Sequence, residues 1–206
     1  MKVFYTDAGH IIGSAAVHVK ITENNVTRQI SFSGDVGRYG DVILKSPETF
    51  EQADFIICES TYGNSLHENI LDTPGQLLQW IQKTCVEKKG KLIIPSFSVG
   101  RTQELLFFLN GLSNDNKLPH VPVFVDSPLS AEATNVVKNH PENFNKTIQK
   151  LMETDHDVFD FPGLTFTESV EDSKKINDLH APCIIISASG MADAGRVKHH
   201  ILNNID

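Results

Sequence analysis

From residue 66 onward, helical patterns alternate with short apolar runs, and this alternation restricts the fold more than any other feature of the chain. Thr73-Pro74-Gly75-Gln76 reads as a capping box with proline at the first helical position. The helix it opens should bury Leu77, Leu78, Ile81 and Cys85 and stop at Gly90. An apolar run at Lys91 to Pro95 precedes a helix through Gln103 to Leu112, and Val121 to Val125 precedes one through Ala131 to Lys138. A helix from about Phe144 to Met152 follows. Leu164 to Thr167 then leads to a helix of about Val170 to Leu179, and Cys183 to Ser187 to the last helix. Strands that alternate with helices imply a mostly parallel sheet flanked by helices on both faces.

The first 62 residues read differently, as β-rich sequence. Val17, Val19 and Ile21 alternate with His18, Lys20 and Thr22, the pattern of a half-buried strand, which puts His18 on the surface. Glu23-Asn24-Asn25 is a turn, Arg28 to Ser33 the return strand, and Asp54 to Cys58 a further short strand that ends at Glu59. The chain is therefore α/β in two parts, 1–65 and 66–206. It begins inside a strand-like run and ends inside a helical pattern, Val197 to Ile205, with no stop signal, which suits a piece of a longer protein.

In a parallel sheet the loops that follow the strands gather at one edge, where ligands bind. Three such loops are short and hydroxyl-rich and run into helix N-termini: Ser96-Phe97-Ser98-Val99-Gly100-Arg101, Asp126-Ser127-Pro128-Leu129-Ser130 and Ser187-Ala188-Ser189-Gly190-Met191. Free N–H groups and the helix dipole favour anions there, phosphate above all, and Arg101 adds a planar fork suited to phosphate oxygens. Ser96, Ser98, Gly100, Arg101, Ser127, Ser187, Ser189 and Gly190 are the candidate contacts. Each loop taken alone also reads as ordinary cap and turn chemistry, and Arg101 could instead pair with Glu104.

In the β-rich part, three polar residues stand where apolar strands end at glycine-containing turns. They are His10 in Asp7-Ala8-Gly9-His10-Ile11-Ile12-Gly13-Ser14-Ala15, Asp35 in Phe32-Ser33-Gly34-Asp35-Val36-Gly37, and Glu59 in Ile57-Cys58-Glu59-Ser60-Thr61-Tyr62-Gly63. Strand-end imidazoles and carboxylates suit metal ligands and the groups that orient them. Singly, each also reads as a turn former or a backbone-satisfied side chain.

Composition narrows the class. Hydrophobic residues make up 40% and charged residues 21% of 206, as in an ordinary soluble protein. The apolar runs are strand-sized, so no membrane partner is expected. Cys58, Cys85 and Cys183 sit in apolar segments and read as buried, reduced thiols at a cytoplasmic address. The net charge of -8 counts against nucleic-acid binding, although a metal site or a local basic patch can override the overall sign. Trp80 has the helical spacing of a packing residue, and His67, His120, His140, His156 and His180 fall in loops or at helix ends.

The order Gly-His-x-x-Gly-Ser-Ala, Ser-Gly-Asp-x-Gly, Glu-Ser-Thr-Tyr-Gly resembles the metallo-β-lactamase-fold nucleases of the β-CASP type, the ribonuclease J and cleavage-and-polyadenylation endonuclease group. Pro95 to Glu104, Asp126-Ser127-Pro128-Leu129 and Ser187-Ala188-Ser189-Gly190-Met191 continue the match in order over nearly the whole chain. The resemblance implies part of a metallo-β-lactamase αββα sandwich over 1–65 and most of an inserted β-CASP domain over 66–206. It implies a two-zinc hydrolase of phosphodiester bonds, with His10 a zinc ligand and Asp35 a carboxylate bridging both metals. Glu59 would support a histidine general acid. The implied substrate is RNA, single-stranded because the inserted domain covers the metal cleft; a homo-oligomer stays open. The family's H-x-H-x-D-H run and its two C-terminal histidine motifs are absent from this sequence, and His199-His200, in the helix after Ser-Ala-Ser-Gly-Met, does not replace them. The chain by itself is therefore expected to be inactive. A catalytically silent RNA-binding or scaffold relative, a DNA-directed nuclease of the same family and a small-molecule metallohydrolase are the alternatives.

Overall fold

The computed structural model describes residues 1–65 and 72–205. The expected boundary near residue 65 and the reading of His67 lie outside the described residues. Two compact units emerge, one drawn from Met1–Asn69 with Pro141–Leu151 and the other from Ile70–His140 with Met152–Asp206.

The first unit is a four-stranded sheet in the order β1 (Lys2–Asp7), β2 (Ala15–Glu23), β3 (Val26–Phe32), β4 (Phe55–Ile57). β1 and β3 run antiparallel to β2, and β4 runs parallel to β3. The β2–β3 hairpin turns on Asn24 and Asn25, both with positive φ (50° and 62°). Asparagine tolerates that conformation better than most residues, and two successive positive φ values match the twist of a tight hairpin. The predicted period along β2 is present, but the covered face is the opposite one. His18 is fully buried. Its Nδ1 meets Ser31 Oγ at 2.7 Å and its Nε2 meets Thr6 Oγ1 at 2.9 Å. Phe4 stacks on the ring at 4.8 Å and Phe50 meets it edge-on at 5.2 Å. Satisfying both ring nitrogens lets a polar ring sit where an aliphatic one was expected. The three residues of β4 are exposed, and so is Cys58, which the apolar setting had predicted to be buried.

Pro141–Leu151 belongs to this first unit. Leu44 and Phe144 form an antiparallel bridge, and the Asn145 side chain donates to the carbonyls of Asp41 and Val42. Phe144 is thus consumed as a buried bridge residue, and the helix expected from it starts two residues later. That helix and the ones around it are α1 (Thr73–Ile81), α2 (Arg101–Asn114), α3 (Pro128–Lys138), α4 (Lys146–Leu151), α5 (Val170–Asp178) and α6 (Val197–Asn204).

The second unit is built on a fully parallel sheet ordered β5 (Lys91–Pro95), β8 (Cys183–Ser187), β6 (Val123–Asp126), β7 (Leu164–Phe166). All five residues of β8 are buried. Successive side chains point to opposite faces, so both faces of this central strand are covered, as the alternation predicted. On one face Cys183 and Ile185 pack with Ile176 of α5, together with Ile93, Phe124 and Leu179. Burial pushes the Cys183 thiol up to about 11, which makes it an inert core residue.

The start and end of α1 differ from expectation. Its N-cap is Asp72, whose carboxylate accepts from the Gly75 amide at 3.0 Å, one residue before the predicted cap. Carboxylates cap at least as well as threonine, and Pro74 still occupies the first turn. The helix runs on into a π-helical segment, Gln82–Glu87, and the positive φ of the exit falls on Lys89 (55°), not on Gly90. Ile81 and Cys85 are buried, but Leu77 and Leu78 are only half-buried. Trp80 is exposed, with Lys83 Nζ 5.0 Å from its ring centre. One residue along a helix is a rotation of about 100°, so Trp80 faces away from the stripe that buries Ile81. Among the described residues, no helix is long and apolar enough to cross a membrane.

Candidate functional site

The candidate residues fall into two constellations, one in each unit. In the first, the chain between β1 and β2 folds into a knot of short bonds. Asp7 Oδ1 accepts from the Gly9 amide, and the Ser14 hydroxyl accepts from the amides of His10 (3.1 Å) and Ile11 (3.3 Å). The turn after β3 is tied to it through the main chain. The Gly37 amide donates to the Ala8 carbonyl at 2.8 Å. A Cβ on Gly37 would lie 1.7 Å from the Gly9 carbonyl oxygen, so only glycine fits there.

These ties bring His10 Nε2 to 4.0 Å from Asp35 Oδ2, with both side chains open to solvent. Glu59 closes the third side. Its carboxylate accepts from the Val36 amide at 2.6 Å, and its own amide donates to the Ser33 hydroxyl at 3.0 Å. The Val36 amide, and then Thr61, hold the Glu59 carboxyl below the usual range, so it is a stable anion at neutral pH. Its visible task is to fix the turn that presents Asp35.

An imidazole and a carboxylate at this separation are the donor types zinc accepts. Two side chains fall short of the three that a catalytic zinc draws from protein. Among the described residues no cluster of three or more His, Cys, Asp or Glu could hold a metal.

In the second unit the parallel sheet brings the three hydroxyl-rich loops to one edge. The Ser96 amide donates to the Ser187 carbonyl, the hydroxyls of Ser98 and Ser127 meet at 3.1 Å, and Ser187 Oγ donates to the Asp126 carbonyl. Their individual roles are less uniform than the sequence suggested. Ser96 and Ser187 are buried and their hydroxyls bond internally. Ser127 is buried as the N-cap of α3, accepting from the Ser130 amide. The N–H groups expected to be free at the start of α2 are also engaged: Gly100 donates to Gln103 Oε1, Arg101 to the Val99 carbonyl and Thr102 to the Phe97 carbonyl. The Ser189 hydroxyl donates to Asp193. Arg101 is half-exposed and paired with Glu104 one turn along. Gly190 lies against the ring of Phe97, where a Cβ would come within 2.7–2.9 Å of three ring atoms.

Sequence reading missed the most densely bonded group at this edge. Asp126, at the end of β6, is fully buried. Its Oδ2 receives His200 Nε2 and Ser173 Oγ, both at 2.6 Å, and its Oδ1 receives Arg196 Nη1 at 2.8 Å. Arg196 also donates to the carbonyls of Thr167 and Glu168, and His200 Nδ1 meets Asn177 Oδ1. The available signal was the spacing i, i+4 of Arg196, the N-cap of α6, and His200, with an unexplained strand-end aspartate.

Comparison by sequence identifies most of this second unit: residues 102–206 match the Beta-Casp domain family. The chain belongs to the β-CASP family. Among β-CASP relatives it is 29% identical over 205 residues to ribonuclease TTHA0252 of Thermus thermophilus, covering 100% of this chain and 46% of that protein. It is 32% identical over 204 residues to transcription termination factor FttA of Methanosarcina mazei, covering 97% and 31%. It is 30% identical over 190 residues to endoribonuclease ysh1 of Schizosaccharomyces pombe, covering 91% and 24%. The chain therefore spans less than half the length of each of these three β-CASP proteins.

Proposed function

We propose that the full-length protein is a zinc-dependent phosphodiesterase acting on single-stranded RNA, with His10 and Asp35 among its metal ligands. The observation that carries this is the His10–Asp35 pair, held 4.0 Å apart by main-chain contacts, in a chain whose relatives include named ribonucleases. Zinc, when bound, supplies hydroxide at neutral pH and offsets charge that develops on phosphorus. Asp35 would contribute negative charge to offset the cations held there. Glu59 orients Asp35 through the Val36 amide, which keeps the carboxylate aimed without using it as a hydrogen-bond acceptor. The test is cleavage of labelled single-stranded RNA by the full-length protein with and without added zinc. Absence of zinc-dependent cleavage would end this reading in favour of a silent RNA-binding relative. This chain alone should hold less than one zinc per molecule after dialysis and turn over no RNA; tight stoichiometric zinc with turnover would overturn the ligand count.

The second unit contributes the backbone contact. Arg101 carries it, because the buried serines and the engaged N–H groups around it do not present donors outward. Its guanidinium would exchange Glu104 for a phosphate, and a charge-assisted bond of this kind contributes roughly 1.5–3 kcal/mol. Arg101→Ala in the full-length protein should weaken RNA binding by about ten- to a hundredfold, equally across sequences, and flatten the salt dependence by about one unit. A lowered melting temperature with an unchanged salt slope would mean that Arg101 only braces α2 through Glu104.

A further inference from the structure

We propose that Phe97 is a stacking platform for one nucleobase of the bound strand; this rests on the RNA reading above and names the contact that reads a base face instead of a phosphate. Three loops meet at the carboxyl edge of the parallel sheet, and each shows solvent one large apolar side chain: Phe97 (56% exposed), Leu129 (58%) and Met191 (73%). Apolar groups placed this way at a ligand edge cost hydration until something covers them. Phe97 differs from the other two in being braced. One side of its ring lies on Gly190, where even a methyl group would collide with three ring atoms. The Phe97 carbonyl accepts from both the amide and the hydroxyl of Thr102, which pins the residue to the first turn of α2. The ring is therefore held, with its remaining surface open, before any ligand arrives. A planar side chain fixed in this way loses little freedom when a second plane settles on it.

The occupant is chosen by what surrounds the ring. Arg101 stands four residues along the same loop with its guanidinium half-exposed. A flat apolar surface on the same loop as a half-exposed guanidinium suits an unpaired nucleotide, whose base offers a π face and whose phosphate offers a charge. A base paired in a duplex has both faces already stacked. The carboxylates of Glu104 and Asp193, bonded to Arg101 and Ser189, belong to the same edge and repel phosphate, so the base carries more of the affinity here than the net charge of the loops would.

The measurement is equilibrium binding of a phosphorothioate-linked single-stranded oligoribonucleotide to the full-length protein, with an abasic site moved along the strand. In the wild type, one abasic position should weaken binding by roughly five- to a hundredfold. In Phe97→Ala the intact and abasic strands should bind alike, and Phe97→Trp should restore the difference. Gly190→Ala, which displaces the ring without changing it, should act like Phe97→Ala. Arg101→Ala should weaken all strands equally, abasic ones included. Unchanged RNA affinity in Phe97→Ala overturns the platform and leaves the RNA reading intact. A change in oligomeric state with unchanged RNA affinity does the same and assigns the ring to a protein contact. Failure of the wild type to bind any strand overturns both.

Discussion

Asp126→Ala is expected to cost about 3–5 kcal/mol of stability in the second unit, the range for removing one member of a buried ion pair. The carboxylate is fully buried and receives His200, Ser173 and Arg196. Deleting it takes the counter-ion from Arg196, which keeps only the Thr167 and Glu168 carbonyls, and leaves the His200 Nε2, on a side chain that is 0% exposed, without its partner. Asp126→Asn preserves the volume and should cost less. The two differ in acid. Burial works against ionisation of Asp126, but the bonds from His200, Ser173 and Arg196 outweigh it and hold the carboxyl below its ordinary value. A group with a lower pKa folded than unfolded stabilises fully above the unfolded value, about 3.9 for aspartate, and that contribution drains away as the pH falls through the folded value. Urea unfolding at neutral pH and at successively lower pH should show wild type and Asp126→Asn converging in acid. A loss below about 1 kcal/mol for Asp126→Ala at pH 7 would mean that the network contributes position and not stability.

In the full-length protein, Asp35→Asn should lower RNA cleavage by roughly a hundredfold or more while leaving RNA affinity within about threefold. Outer groups around a metal already cost about ten- to a hundredfold when removed, and a direct ligand should cost at least as much. An amide of the same shape keeps the turn and its Val36–Glu59 bond but carries no charge for the metals. Rate and affinity measured on the same RNA decide it, and an unchanged rate removes Asp35 from the site. Equal losses of rate and affinity would point to a disturbed fold.

The parallel sheet was legible because the β8 run, Cys-Ile-Ile-Ile-Ser, is apolar up to its last residue and its neighbours are separated by helix-length patterns. Parallel strands in turn bring their following loops to one edge, so the meeting of the Ser96, Ser127 and Ser187 loops followed from topology alone. The fate of each hydroxyl did not follow, because whether a serine faces a ligand or a carbonyl depends on rotations that sequence period does not encode. His18 shows the same limit in the first unit. Alternation located the strand, but the covered face was set by Thr6 and Ser31 on the flanking strands. The Asp126 network is distributed over β6, α5 and α6 with its N-cap, so Ser173, Arg196 and His200 lie 47, 70 and 74 residues from Asp126. Only a folded chain puts them together.

Gly37 has a consequence for how variants of this protein should be read. A saturation library selected for activity should lose nearly every substitution at this position, although glycine offers no side-chain donor. The cause is the carbonyl oxygen of Gly9, which would stand 1.7 Å from any added side chain. The intolerance is one of geometry, and it would persist in a variant whose chemistry had been abolished. The spacing of the two donors is thus inherited from the backbone. If residues 10 and 35 are metal donors, as proposed, exchanging their donor atoms should change which cation is preferred while the frame that spaces them stays as it is.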